Sequence, residues 1–164
     1  MKKLSILAVP AFAAVMAISA SSFAATESTT ASVTIKTPIA VTETTPMTFG
    51  TVIPTNAAAT ADVVLDFADG ATSTNATITG ASSGDFNVTG AGTSSFSLSG
   101  LGTVVMSNGT PADDMQLVLT SSVALGTQAL SGGALPIAVG GTLTVGANQP
   151  SGAYTANYAV TVNY

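Results

Sequence analysis

Residues 140–164 read GGTLTVGANQPSGAYTANYAVTVNY. Leu143 and Val145 alternate with Thr142 and Thr144, the period of two expected of a strand with one buried side. Gly146, Asn148, Pro150 and Gly152 then supply turn chemistry. Beyond them Tyr154, Ala156, Tyr158, Val160, Val162 and Tyr164 fall on one face of a second strand. Thr155, Asn157, Thr161 and Asn163 take the other face, interrupted only by Ala159. A long half-apolar strand of this kind reads either as a sheet edge or as a strand awaiting a neighbour.

Upstream, the same periodicity predicts a strand over residues 31–41, with Val33, Ile35, Ile39 and Val41 on one face and Lys36 and Thr42 on the other. Pro38 lacks an amide donor, so this strand belongs at an edge or crosses between sheets. A second short strand carries Met47, Phe49 and Val52 and closes at Pro54. Val63, Leu65 and Phe67 are expected inward, with Asp62, Val64 and Asp66 outward, before Ala68-Asp69-Gly70 turns the chain. Further short strands are expected around Ile78, Phe86, Phe96, Val104, Met115, Gln128 and Leu135, separated by glycines at hairpin spacing. No window has a helical period. Many short strands with glycine turns make an all-β sandwich or barrel.

The GGTLTV strand, the NQPSG turn with Gly152 and Tyr154, and the closing VTVNY at residues 160–164 carry a resemblance. They are similar to the C-terminal end of an uncharacterised "domain of unknown function" family of secreted bacterial β-proteins. That family itself resembles spore coat protein U domains and chaperone-usher fimbrial (pilin) subunits. The likeness extends back to about residue 31, through Phe49-Gly50-Thr51-Val52. It implies an immunoglobulin-like β-sandwich, open to completion by a strand donated from a neighbour. It also implies a periplasmic chaperone and an outer-membrane usher as partners. The chain departs from many fimbrial subunits in having no cysteine, hence no disulfide, and in placing its aromatic at Tyr164 rather than at the penultimate position.

The chain opens with Met1-Lys2-Lys3, a basic start, followed by an apolar run from Leu4 to Ala20 and by Ser22-Phe23-Ala24. This is the pattern of a signal peptide cleaved after Ala24. Pro10 interrupts the run, which falls short of the roughly 20 residues needed to span a bilayer. No later segment is apolar enough to cross one. The expectation is therefore an exported protein, passing through the periplasm to be secreted or held at the cell surface. Residues 25–164 are expected to form one domain without staples, since there is no cysteine.

Two of the three lysines lie in the leader, so Lys36 stands alone against eight acids, a side-chain balance of −7. Such a surface repels nucleic acid and anionic membranes. With so few charges, Thr, Ser and Asn must solvate the exterior.

The residues left out are as informative. Histidine, cysteine, arginine and tryptophan are all missing beyond the leader, which removes the commonest general base, the thiolate nucleophile and the guanidinium clamp. An enzyme is not expected, and neither is a cofactor. Asp113 and Asp114 are adjacent and would point to opposite sides of a strand, so they cannot flank one bond. Asp66 and Asp69 read as turn residues bonding nearby amides. The spacing of Asp66-Phe-Ala-Asp69-Gly70 does not match an EF-hand calcium loop. The triplets at Asn75, Asn87 and Asn108 match the glycosylation pattern, but such matches arise by chance in a chain rich in Asn and Thr. The terminal tyrosines read as core filling in preference to a sugar-stacking platform, because they share their face with Val160 and Val162.

Two readings remain. The first is a structural subunit of a surface fibre or coat that self-associates by strand addition, using Val33, Ile35, Ile39 and Val41 with Tyr154, Tyr158, Val160, Val162 and Tyr164. The second is a closed, monomeric secreted module that binds carbohydrate or calcium.

Overall fold

A computed structural model describes residues 25–164. The leader and its cleavage site fall outside the described residues. The chain divides at Thr34 into a first unit, Met1–Thr34, and a compact unit, Ile35–Tyr164. Of the first unit, residues 25–34 are exposed throughout and form no strand.

The compact unit is all-β, a sandwich-like arrangement of twelve strands among the described residues. In chain order they are β1 Ala40–Thr45, β2 Thr51–Pro54, β3 Ala61–Leu65, β4 Ala71–Ser73, β5 Ala76–Thr79 and β6 Gly84–Thr89. There follow β7 Ser95–Ser99, β8 Thr103–Met106, β9 Met115–Ser121, β10 Gly126–Ala129, β11 Ala134–Val145 and β12 Thr161–Asn163. Among the described residues, the one helical element is a short 3-10 turn, Pro111–Asp113.

The organising element is β11, in which the segments around Leu135 and Leu143 join as one strand of 12 residues. Its first half pairs with β6, which pairs in turn with β1. Its second half pairs with β3 on one side and β9 on the other, and these carry β4 and β8 outward. All pairings are antiparallel. The change of partner occurs at Gly140 and Gly141. A Cβ at Gly140 would collide with the carbonyl of Leu65, and one at Gly141 with the carbonyl of Val118. Glycine at both positions is what allows β3 and β9 to close on the two edges of β11.

Two smaller sheets complete the sandwich: β10-β7-β12, and the pair β2-β5. The core lies between the layers as one cluster. Val63 and Leu65 of β3, Leu117 and Leu119 of β9, and Ile137, Val139 and Leu143 of β11 supply the large sheet's share. Phe96 and Leu98 of β7 face them. At roughly 1.5–3 kcal/mol for each such side chain removed from water, this cluster is the main stabilising term.

Two strand expectations are corrected. The strand placed at residues 31–41 begins only at Ala40. Val33 and Ile35 are 84% and 89% exposed, whereas Ile39 and Val41 are half-buried against the core. Pro38 cannot donate to a ladder and biases Thr37 before it, which delays the start of pairing. Phe67, expected inward, is 43% exposed. Here β3 ends at Leu65, and Asp66 Oδ1 accepts hydrogen bonds from the amides of Ala68 and Gly70 at 2.8 and 2.7 Å. The turn that closes on Asp66 breaks the alternation before Phe67 can use it.

Candidate functional site

The alternation read along residues 154–164 appears in the burial pattern. Tyr154, Ala156, Tyr158, Val160 and Val162 are half-buried, and the residues between them are exposed. Tyr154, Tyr158, Val160 and Val162 pack against the core cluster. Their backbone, however, is paired only at the two ends. Thr155 exchanges two hydrogen bonds of 3.0 Å with Ser107, and Thr161–Asn163 pairs with β7. Among the described residues, residues 156–159 make no backbone hydrogen bond to another strand. A chain with the side-chain pattern of a strand thus runs without a neighbour in its middle.

Beside it lies a groove of about 690 Å³ whose apolar lining is interspersed with Thr48, Thr51, Gln149, Ser151 and Thr155. Residues 47–52 border one side and residues 149–156, with Tyr158, the other, over a floor of Met115, Leu117, Leu143 and Val145. Phe49, the one of these on the Met47–Val52 side that is fully buried, anchors that wall. The wall itself is held by β2 pairing with β5 and by Thr48 exchanging hydrogen bonds with Ser82 at 2.9 and 2.8 Å.

One end of the groove is closed by a polar network. The hydroxyl of Tyr154 donates to the carbonyl of Pro150 at 2.9 Å and accepts from Gln149 Nε2 at 3.0 Å and Asn108 Nδ2 at 3.2 Å. Asn108 Nδ2 also donates to Asp113 Oδ2 at 3.2 Å, and Gln149 Nε2 donates to the carbonyl of Asp113. These bonds tie the NQPSG loop to the 3-10 turn. They also occupy the amide of Asn108, which gives that residue a structural use unconnected with its glycosylation triplet.

At the other end, the ring of Tyr158 meets Phe86 edge to face, with centroids 6.1 Å apart and planes at 78°. Its hydroxyl is enclosed over Gly84 and has no hydrogen-bond partner among the described residues. Burial, and secondarily the charge of Glu43, push its acidity toward higher pH. Tyr164 has a different role from its face-mates. It is 50% exposed, and its hydroxyl accepts from the amide of Ala91 at 2.7 Å and donates to the carbonyl of Thr37 at 2.9 Å. Lys36 Nζ sits 5.6 Å from the centre of the same ring, within cation–π range.

The remaining candidates are accounted for locally. Asp69, at φ 63°, accepts from the amide and hydroxyl of Ser83 at 2.7 and 2.9 Å and from Ser82 Oγ at 3.3 Å. The Ser83 amide, then its hydroxyl, hold the carboxyl below its ordinary range. Asp66 thus closes its own turn as expected, whereas Asp69, expected to bond nearby amides, instead ties that turn to Ser82 and Ser83 ahead of β6. Among the described residues, no group of three acids is placed to hold a metal, and no helix is long and apolar enough to cross a membrane.

The residues anticipated for assembly therefore separate: Ile39 and Val41 pack against the core, and Tyr164 bonds Thr37 and Ala91. Tyr154, Tyr158, Val160 and Val162 form the half-buried, partly unpaired segment. Val33 and Ile35 stand exposed. The open wall formed by Met47, Phe49 and Val52 was not anticipated as part of a site, since its apolar alternation looks like that of any core strand.

Residues 39–164 match the family described as a domain of unknown function (DUF4402), and the chain belongs to that family. No curated protein and no solved structure matches it.

Proposed function

We propose that this DUF4402 chain is an exported structural subunit of a bacterial surface fibre or coat, assembled by adding a strand from one copy to the groove of the next. The observation that carries the reading is the unpaired backbone of residues 156–159 beside the groove. An added strand would pair the free amides and carbonyls and lie against the half-buried groove residues Met47, Val52, Tyr154 and Tyr158.

The donor is the exposed lead ahead of β1. Val33 and Ile35 are two residues apart, on one face of any extended chain, and both lie open to solvent. The reading takes the added strand from the lead of another copy.

The resemblance to fimbrial and spore coat subunits, the leader sequence and the charge-poor exterior support the same reading. Under it, a periplasmic chaperone fills the groove before assembly and an outer-membrane usher exchanges it. The role is structural, with no catalytic step and no nucleic-acid partner.

The test is Ile35→Asp in the exported chain. Because Ile35 is exposed within its own subunit, the monomer should keep its melting temperature. A carboxylate pressed into a neighbour's groove would cost at least about 2 kcal/mol, so the detergent-resistant ladders expected of the wild type should collapse to monomer. A wild type that runs as a sharp monomer at every concentration would reject strand addition and restore the closed binding module.

A further inference from the structure

Beyond residue 24 the sequence has three methionines, Met47, Met106 and Met115, and all three line the groove beside residues 156–159. The other buried core hydrophobics are Val, Leu, Ile, Phe and Ala, so the thioethers gather where the sandwich is open. Met106 of β8 is the cross-strand partner of Met115 of β9, which sets these two side chains about 5 Å apart at Cβ on one face of the pair. Met47 belongs to the wall of residues 47–52. The three differ in access. Met47 and Met106 are half-buried, whereas Met115 is only 7% exposed. Cysteine, the competing target of peroxides, is absent from the chain.

We infer that Met47 and Met106 are an oxidation site through which a peroxide shuts the groove to an incoming strand. The site follows from access and thioether chemistry, while its effect on assembly rests on the strand-addition reading. With hydrogen peroxide, a sulfur lone pair attacks one oxygen and the O–O bond breaks. The proton on the transferred oxygen passes to the departing hydroxide, leaving a sulfoxide and water. Sulfur gives up the two electrons that the peroxide gains. The product is polar and chiral where the thioether was flexible and apolar. Val33 and Ile35, the apolar pair of the donor lead, bring no side-chain donor to the new oxygen, so seating them over it encloses a polar atom without a partner. A strand already in place covers the same sulfurs. An assembled polymer is thereby protected where a free subunit is not.

Free wild-type subunits treated with hydrogen peroxide and mapped by mass spectrometry of their peptides should carry sulfoxide at Met47 and Met106 before Met115. Ladder yield from the treated subunits should fall about tenfold or more, the effect of enclosing one unpartnered polar atom, while the chain keeps a cooperative thermal melt. Methionine sulfoxide reductases should return the ladders. For a chain with Met47→Leu and Met106→Leu, peroxide should leave the ladder yield where it stood before treatment, since leucine conserves volume and has no sulfur. Polymers assembled before treatment should keep both thioethers. Ladders that survive conversion of Met47 and Met106 to sulfoxide would overturn the closing of the groove and leave strand addition standing. A treated chain that has lost its melt would overturn it too, because oxidation would then act on the fold. Oxidation of Met115 ahead of the other two would refute the site. An absence of ladders from untreated subunits would refute strand addition, and the sulfoxide map of those same subunits still decides the oxidation site.

Discussion

The hydroxyl of Tyr164 donates a hydrogen bond of 2.9 Å to the carbonyl oxygen of Thr37, 127 residues earlier in the chain. The hydroxyl oxygen of Tyr164 in turn accepts from the amide of Ala91 at 2.7 Å. One side chain thereby joins the C-terminal segment, the loop after β6 and the start of the lead into β1. Gly90 makes room for it, because a Cβ there would strike the hydroxyl. Tyr164→Phe keeps the ring and the Lys36 contact but removes both bonds. At about 1 kcal/mol net for each, stability to denaturant should fall by about 1–2 kcal/mol, and the Ala91 amide should exchange faster with deuterium. Unchanged exchange at Ala91 would show that the clasp is not formed in solution.

The double glycine of β11 yields a paired prediction. Gly141→Ala would set its Cβ against the Val118 carbonyl, with Leu117 Cδ1 3.2 Å and Leu119 Cα 3.3 Å away. Two ladders close on this point and neither can retreat alone, so the substitution should cost about 1–3 kcal/mol. Gly102 has nothing within 4 Å of the same construction and lies outside the left-handed region. Gly102→Ala should be neutral, or stabilise by up to about 1 kcal/mol through the unfolded chain. Equal losses at both sites in a thermal melt would reject the close-approach explanation.

How far the sequence reveals this fold depends on whether a residue's partner is local. Leu143 and Val145 alternate with threonines, and both are buried, because a strand inside a sheet needs no information beyond its own period. Tyr154 to Val162 shows the same period and the same alternation of burial. The sequence could not show that residues 156–159 lack a ladder, since an empty neighbouring position leaves no mark on the side chains that face the core. Val33 and Ile35 have a strand's spacing and no strand, because Pro38 and the anchored Thr37 settle where pairing begins. Phe67 was misplaced for a local reason, the Asx turn at Asp66, which two hydrogen bonds make stronger than one more step of alternation.

Asp69 makes stability depend on acid. Its carboxylate accepts from Ser83 and Ser82 in the folded chain and loses those donors on unfolding. The folded carboxyl therefore titrates below the ordinary value of 3.8. Its contribution is complete above that value and disappears as the pH falls through the folded pKa. Asp69→Asn keeps an oxygen acceptor but cannot titrate. The wild type should be the more stable at neutral pH, and the two melting temperatures should converge as the pH is lowered toward 2. A gap independent of pH would mean that the charge has no part in holding the turn to Ser82 and Ser83.

Tyr158 gives the opposite sign at the alkaline end. Its hydroxyl is enclosed without a partner among the described residues, so folding takes a polar group from water and returns no hydrogen bond from them. Burial raises its pKa above the ordinary value of 10.0, and the charge of Glu43 adds to the shift. Between the unfolded and folded values the native chain holds the proton that the unfolded chain has lost, so stability falls as the pH rises through this range. Tyr158→Phe removes both penalties and keeps the edge-to-face contact with Phe86. At neutral pH the variant should equal the wild type or exceed it by up to about 1 kcal/mol. Above pH 10 its advantage should widen. A loss of more than about 1 kcal/mol at neutral pH would show that the hydroxyl finds a partner in solution, such as an ordered water over Gly84, and that the groove's upper end is wetter than its enclosed geometry implies.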